Sequence, residues 1–302
     1  MSAFLVMAYT ARTDSLNAAS EVVEQLHAAG QTAVVPGEHW DELVAHAPNV
    51  AEHATKLGQG VELADLTLVI TLGGDGTILR AAELVRDAGT PLLGINLGSV
   101  GFLAEAEPDS LSETVRRAIA GDYTIEERLT LEVVVTDKGT EVYRGWALNE
   151  AAVEKAVPAR MLDVVLEVDG RPISNFGCDG VVFSTPTGST AYNFSAGGPI
   201  VWPGVDALVC VPLSAHALFA KPLVVAPTST LALEIRQRSV ADGVLSCDGR
   251  RLVDLPPRAR VTVTRSNEPV RLARLNSDSF ADRLVQKFDL PVSGWRGPEG
   301  AR

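Results

Sequence analysis

Residues 73–77 read Gly-Gly-Asp-Gly-Thr. Three glycines around one carboxylate, followed by a hydroxyl, are the residue types of a phosphate-binding turn. Gly73, Gly74 and Gly76 permit positive φ and close approach to a ligand. Free amides and the dipole at a helix start hold a phosphate. Asp75 is a candidate proton acceptor, and Thr77 either caps the helix or touches a phosphate oxygen. The competing reading is a plain turn, because Asp-Gly pairs also occur at Asp169, Asp179, Asp242 and Asp248, and that dipeptide favours turns. Two familiar phosphate loops are excluded. No lysine follows a glycine, so there is no Walker loop, and GxGxxG does not occur in this stretch.

Further constellations lie downstream. Asn96-Leu-Gly-Ser-Val-Gly-Phe-Leu, residues 96–103, again offers glycines for close approach, and Asn96 is both donor and acceptor; the alternative is a loop whose Phe102 and Leu103 are core. Asn149-Glu150 ends a strand-like run. A carboxamide beside a carboxylate suits paired ribose hydroxyls or a base edge, and otherwise it is a solvated strand end. Residues 178–200, CDGVVFSTPTGSTAYNFSAGGPI, concentrate hydroxyls, glycines and one tyrosine at an expected helix start, more hydrogen-bonding groups than a structural turn needs. Tyr192 suits stacking on a base or bonding through its hydroxyl. Asp179 lies just upstream. His216 is the only histidine beyond residue 53, and a structural role is its ordinary expectation. With no HExxH and no His/Cys cluster, no protein-built transition-metal site is expected.

The elements that must position these residues come in two styles. Apolar runs at 4–8, 32–35, 66–72 and 91–96 alternate with helical patterns up to about residue 125. Asp14 or Ser15 is the expected cap of a helix closed by Gly30. A second helix is expected over 77–88 and a third from 108–110 to Gly121. This βαβ rhythm predicts an α/β N-terminal domain with an open, mostly parallel sheet over 1–125. From about residue 126 to 270 the strand-like runs are 129–136, 143–148, 162–168, 181–184, 231–236 and 261–264, with turns expected at Asp169, Asp242 and Asp248. They predict an all-β sandwich C-terminal domain. A C-terminal helix at 279–288 is expected to return to the first domain, ahead of a mobile tail from Ser293.

Composition sets the limits. The chain has 302 residues, is 46% hydrophobic and 21% charged, and carries a net charge of −12. That is a folded protein with room for two domains. Its field repels polyanions, so nucleic acid is not an expected partner. An anionic ligand needs local amides, a few arginines or a divalent cation. Cys178, Cys210 and Cys247 are odd in number and far apart, which fits a reducing, cytoplasmic setting. The apolar stretch 207–220 falls short of the ~20 residues of a spanning helix, so no membrane is expected.

Together the motifs at 73–77, 96–103, Asn149-Glu150, 187–192 and Pro212-Leu213-Ser214 resemble the bacterial NAD kinases, which use ATP or polyphosphate, in that order and over roughly residues 65–250. GGDG alone is shared with lipid kinases; Asn-Glu followed by Gly-Ser-Thr-Ala-Tyr is much more specific. The resemblance implies phosphoryl transfer to the adenosine 2′-hydroxyl of NAD, giving NADP. It implies Asp75 as general base with Gly73, Gly74, Gly76 and Thr77 around it, and Arg80 facing a phosphate. Asn96 is a further contact. Asn149, Glu150 and Asp179 would hold ribose or base edges; Thr187, Thr190, Ala191, Tyr192, Asn193 and Ser195 would line the nucleotide pocket, with Arg160 a weaker contact. It also implies a homodimer or homotetramer with sites completed across subunits. Such chemistry needs positioning and charge neutralisation more than covalent catalysis, and Mg²⁺ is expected on the donor's phosphates. A GGDG-type lipid kinase and a non-catalytic dinucleotide sensor are the alternatives. No basic or amphipathic membrane-docking stretch favours the first, and an intact Asp75 argues against the second.

Overall fold

The computed structural model describes residues 2–98, 101–104, 111–218, 220–275 and 279–292. The chain forms two units, Met1–Glu127 with Val270–Arg302, and Arg128–Pro269.

The first unit is built on strands that are short and almost continuously apolar, as strands covered on both faces must be. β1 (Ala3–Ala8) is buried along its whole length. It pairs in parallel with β2 (Thr32–Val35) and β4 (Leu66–Leu72). β3 (Ala54–Lys56) extends one side and β5 (Leu92–Ile95) the other, both parallel. With β6 (Thr124–Arg128) and β19 (Val270–Arg274), the seven-stranded order is β3-β2-β1-β4-β5-β19-β6. α1 (Thr13–Ala28) buries Ala18, Ala19, Val22, Val23 and Leu26, one apolar stripe at 3–4 residue spacing. α2 (Gly37–His46) and α3 (Val50–His53) follow β2. α4 (Asp75–Val85) follows β4 and turns Ile78, Ala81, Ala82 and Val85 inward. α5 (Leu111–Ala120) packs Leu111, Val115 and Ala118 into the core that α1 covers.

Two helix starts differ from the sequence expectation. α1 begins at Thr13 after an extended Arg12, with no side-chain cap, and Ser15 is fully buried in its first turn; neither Asp14 nor Ser15 is the cap. α4 begins at Asp75 rather than at 77, so the carboxylate belongs to the helix's first turn. The expected helix opening at 108–110 and the tail from Ser293 lie outside the described residues.

The second unit is two antiparallel sheets. One runs β11-β10-β15-β18-β7-β8 and the other β14-β13-β12-β9-β16-β17. In chain order these are β7 (Leu131–Asp137), β8 (Thr140–Ala147), β9 (Glu150–Lys155), β10 (Leu162–Val168), β11 (Arg171–Cys178), β12 (Gly180–Ser184), β13 (Leu208–Leu213), β14 (Leu223–Val225), β15 (Leu231–Ile235), β16 (Gly243–Cys247), β17 (Arg251–Leu255) and β18 (Ala259–Arg265). β7 and β10 alternate buried and half-buried residues, so one face of their sheet is open. β12 is buried throughout. Its inward Val181 and Phe183 join the core shared by both sheets, and Val182 packs under Tyr192, Ala196 and Val201 on the other face. That second layer comes from a 3₁₀ turn at Thr187–Thr190 and a one-turn helix α6 (Tyr192–Ser195).

Asp169-Gly170 forms the expected turn, both residues at positive φ, between β10 and β11. Lys138-Gly139 does the same between β7 and β8 without the usual Asn or Asp. Asp242-Gly243 is not a turn, because Gly243 is already the first residue of β16. Asn149-Glu150 does not end a strand: Glu150 opens β9, which pairs with β12 and β16.

α7 (Phe280–Phe288) belongs to the first unit. Ser279 caps it, its hydroxyl accepting from Asp282 N at 3.2 Å while the Asp282 carboxylate accepts from Ser279 N at 3.2 Å. Phe280 and Phe288 approach the Phe102 ring at centroid distances of 5.6 and 6.1 Å, both tilted, a geometry that contributes about 0.5–1.5 kcal/mol per pair beyond burial. Among the described residues no helix is long and apolar enough to cross a membrane.

Candidate active site

β4 and β5 end side by side, and the Gly73 amide donates to Ile95 O at 3.0 Å. The turns that leave these strands therefore share one edge of the sheet, where open parallel sheets bind ligands. Gly73 takes φ +153°, and a side chain there would strike the Thr77 hydroxyl. Gly74 and Gly76 have no left-handed backbone; both are exposed, and a Cβ on either would touch nothing. Inside the unit their smallness serves no packing need, and their amides stand at the open, positive end of α4. Thr77 is buried and donates its amide to Gly74 O at 2.9 Å. No side chain caps the helix, so Thr77 is not its cap. Arg80 is exposed one turn further on, and its charge helps to lower the buried His39, mainly depressed by desolvation.

The Asp75 carboxylate is not idle in this state. Oδ2 accepts from Phe102 N at 3.0 Å and Oδ1 from Leu103 N at 3.2 Å. Gly101 lets them approach, since a Cβ there would lie 2.3 Å from Oδ1. Each oxygen keeps a second lone pair for a hydroxyl. Asn96 is buried, its Oδ1 accepting from Gly98 N at 3.2 Å. Phe102 and Leu103 are indeed buried, as the alternative reading of that loop held, and they serve the carboxylate at the same time.

In the second unit the link between β8 and β9 is held by a residue read from the sequence only as a turn. Asp248, at φ +53° between β16 and β17, aims its carboxylate back at three successive amides. Those of Asn149, Leu148 and Glu150 donate to it at 2.7, 3.0 and 3.3 Å. Arg251 donates to the same carboxylate and to Trp146 O, both at 2.8 Å, and lies over the Trp146 ring at 4.7 Å. Burial pushes the Asp248 carboxyl up, and the amides and Arg251 oppose that push. On its other side Asn149 offers its carbonyl to Thr185 N at 3.0 Å. Gly188 must be glycine, because a Cβ would come within 2.0 Å of that carbonyl.

Glu150 is buried, one oxygen facing the Tyr192 amide and Oε2 without a partner. Burial first, and the Asp248 carboxylate second, push it up to about 7, with the Tyr192 amide working the other way. An unfolded glutamate titrates near 4.5, so this group's stabilisation is complete below that pH and is lost as pH rises to about 7. The change is on the order of 3 kcal/mol. Thermal melts between pH 4.5 and 7 are expected to show that decline in the native chain and a flatter profile in Glu150→Gln; equal slopes would remove Glu150 as the buried titrating group.

The remaining candidates divide. Tyr192 donates its hydroxyl to Glu154 Oε1 at 2.7 Å, and is pushed up to about 12 by desolvation and then by Glu154. Thr190 bonds back to Thr187 O at 3.2 Å, and it and Ala191 are half-buried. Thr187 is buried and Ser195 exposed. Asn193 is fully buried and donates to Ser189 O and Pro199 O, so it holds the turn rather than facing outward. Asp179 pairs with Lys155, which holds its carboxyl below the usual range, with the Ser214 hydroxyl and His216 adding to the effect. Arg160 stands apart. It lines an open cavity of about 820 Å³ with Met161, Phe176, His216 and Arg238, whose walls include neither Asn149, Glu150 nor Tyr192.

Sequence reasoning missed Asp248, Arg251, Glu154 and Lys155. The one available signal was the charge-dense turn Asp248-Gly-Arg-Arg251 between apolar strands.

The sequence matches two family models, the ATP-NAD kinase N-terminal domain over residues 5–123 and the ATP-NAD kinase C-terminal domain over 148–275. It is 60% identical to an NAD kinase of Leifsonia xyli subsp. xyli over 98% of this chain and 97% of that one. It is 56% identical to NAD kinase 2 of Streptomyces coelicolor, with 97% and 96% covered. Among solved structures, an Archaeoglobus fulgidus NAD kinase in complex with ATP aligns with a TM-score of 0.72 at 25% identity, covering 96% of this chain and 100% of that one. The fold of yeast NADH kinase aligns with a TM-score of 0.85 at 22% identity, covering 97% and 89%. Two family models that together cover most of the sequence, and relatives 56–60% identical along nearly its whole length, lead to one assignment: the chain belongs to the NAD kinase family.

Proposed function

We propose that this protein moves a phosphoryl group from ATP to the adenosine 2′-hydroxyl of NAD, with Asp75 as the general base. Family membership carries the NAD kinase activity. The base assignment is supported by one observation: Asp75 is the first residue of a helix, beside glycines whose lack of side chains answers no need of the fold. The amides of Gly74 and Gly76 and the positive end of α4 cradle donor phosphate oxygens, and Arg80 adds a charge one turn away. Asp75 takes the 2′-hydroxyl proton through the lone pairs that its two amide partners leave open. Asn149 and Glu150 hold ribose hydroxyls or a base edge from a corner that Asp248 keeps rigid. Thr187, Thr190, Ala191, Tyr192 and Ser195 line the dinucleotide's pocket with Asp179 at its margin, and Arg160, in the separate cavity beside His216, has no part in it.

Among the described residues no group of three or more His, Cys, Asp or Glu is placed to cage a metal. A divalent cation such as Mg²⁺ would be held by the phosphates of the donor and would supply charge neutralisation there, beside Arg80 and the amides of α4. A homodimer or homotetramer and a cytoplasmic setting complete the reading; Cys178, Cys210 and Cys247 are all buried free thiols, as a reducing compartment allows. Purified protein with NAD, ATP and Mg²⁺ is expected to yield NADP. Polyphosphate in place of ATP, and NADH in place of NAD, define donor and acceptor range. Tight NADP binding with no turnover under any donor would replace the kinase by a sensor.

A further inference from the structure

The Phe102–Leu103 peptide group is held at both ends by opposite charges. Its amide, on Leu103, donates to Asp75 Oδ1 at 3.2 Å. Its carbonyl, on Phe102, accepts from Arg283 Nη1 of α7 at 3.1 Å. The carbonyl of Leu103 accepts from Arg274 Nη1 of β19 at 3.0 Å, and the Phe102 amide donates to Asp75 Oδ2 at 3.0 Å. Thus both amides of the dipeptide face the carboxylate and both carbonyls face guanidinium groups. The Phe102 ring is fixed as well, with Phe280 and Phe288 of α7 at 5.6 and 6.1 Å.

We infer that α7 is a positioning element for the candidate base, with Arg283 and Phe280 acting on Asp75 through the Phe102–Leu103 peptide. A cation on a peptide carbonyl polarises that peptide, and its N–H becomes a better donor to the acceptor at the other end. The ring contacts fix where the dipeptide sits, and Gly101 lets it sit against the carboxylate. Loss of the clamp leaves Asp75 in place on α4 but frees its rotamer. Sub-ångström placement of a reacting group is what proximity catalysis depends on. The inference rests on the reading of Asp75 as base.

The test uses the full chain with Arg283→Ala, Arg283→Lys and Phe280→Ala. It measures kcat and KM for ATP and NAD, thermal melts, and hydrogen exchange at the Phe102 and Leu103 amides. Both alanine variants are expected to lower kcat about 10-fold, with smaller changes in KM, and to speed exchange at the two amides at least ~10-fold. Arg283→Lys, which still donates to the Phe102 carbonyl, is expected to recover most of both. Unchanged kcat in both alanine variants would overturn the inference, as would lower kcat that merely follows a lower Tm with exchange unaltered. An inactive Asp75→Asn beside fully active α7 variants sinks this inference and spares the base. An active Asp75→Asn sinks the base, and the exchange rates alone then decide whether α7 holds the dipeptide.

Discussion

Asp75→Asn is expected to lower kcat at least ~100-fold, the usual contribution of a positioned general base. The structure adds a second consequence. The native carboxylate accepts one amide on each oxygen, from Phe102 and Leu103. An asparagine has one acceptor oxygen, so its NH₂ must face one of those N–H groups, leaving a donor unpaired at about 1–3 kcal/mol. The variant therefore loses a base and loosens the loop beside it. Asp75→Ala loses both amide contacts and is expected to be at least as slow. Both effects fall on kcat, and hydrogen exchange at the Phe102 and Leu103 amides separates them: the missing base lowers kcat alone, and the loosened loop also speeds exchange. Turnover in Asp75→Asn within a few-fold of the native rate would remove Asp75 from the chemistry.

The largest stability effect is expected at Asp248. Asp248→Ala removes the acceptor for three consecutive amides and leaves Arg251 without its carboxylate. Taking one partner from a buried ion pair costs about 3–5 kcal/mol, a large part of the ~5–15 kcal/mol that keeps a domain folded. Because the amides belong to Leu148, Asn149 and Glu150, the same change moves the Asn-Glu corner, so KM for NAD is expected to rise in whatever fraction stays folded. Urea unfolding checks the first effect and NAD titration the second. A variant with an unshifted midpoint and native NAD affinity would return Asp248 to the status of an ordinary turn residue.

What was legible in the sequence had local causes. Residues 66–72 announce a buried strand, and the glycines after them announce its exit; the α/β unit follows from that rhythm. The 162–168 strand was readable because β10 alternates and ends on Asp169-Gly170. β9 was not, since Glu-Ala-Ala-Val-Glu-Lys favours a helix by its own propensity. It is a strand because β12 and β16 pair with it on both sides, and tertiary context overrides propensity. Asp248 was invisible for a similar reason: its partners lie 98–100 residues earlier. The Asp75 contacts to Phe102 and Leu103 were hidden too, because nothing in a glycine loop says which amides will turn back to a carboxylate. The motifs can be read from local sequence, and the residues that hold them still cannot.

The position of β19 bears on how the protein is made. The first sheet holds β1 to β5 from the start of the chain, yet β19 sits between β5 and β6 and is translated only after the whole Arg128–Pro269 unit. Until then the sheet whose β4 leads into Asp75 has a gap beside β5, with unpaired backbone groups where another strand could add. A ribosome-bound chain thus exposes its glycine turn early and completes its support late. The intervening β unit has every strand it needs by residue 265 and is free to fold first. Nascent chains stalled before β19 present the glycine turn without Arg274 or Arg283 to hold the loop beside it.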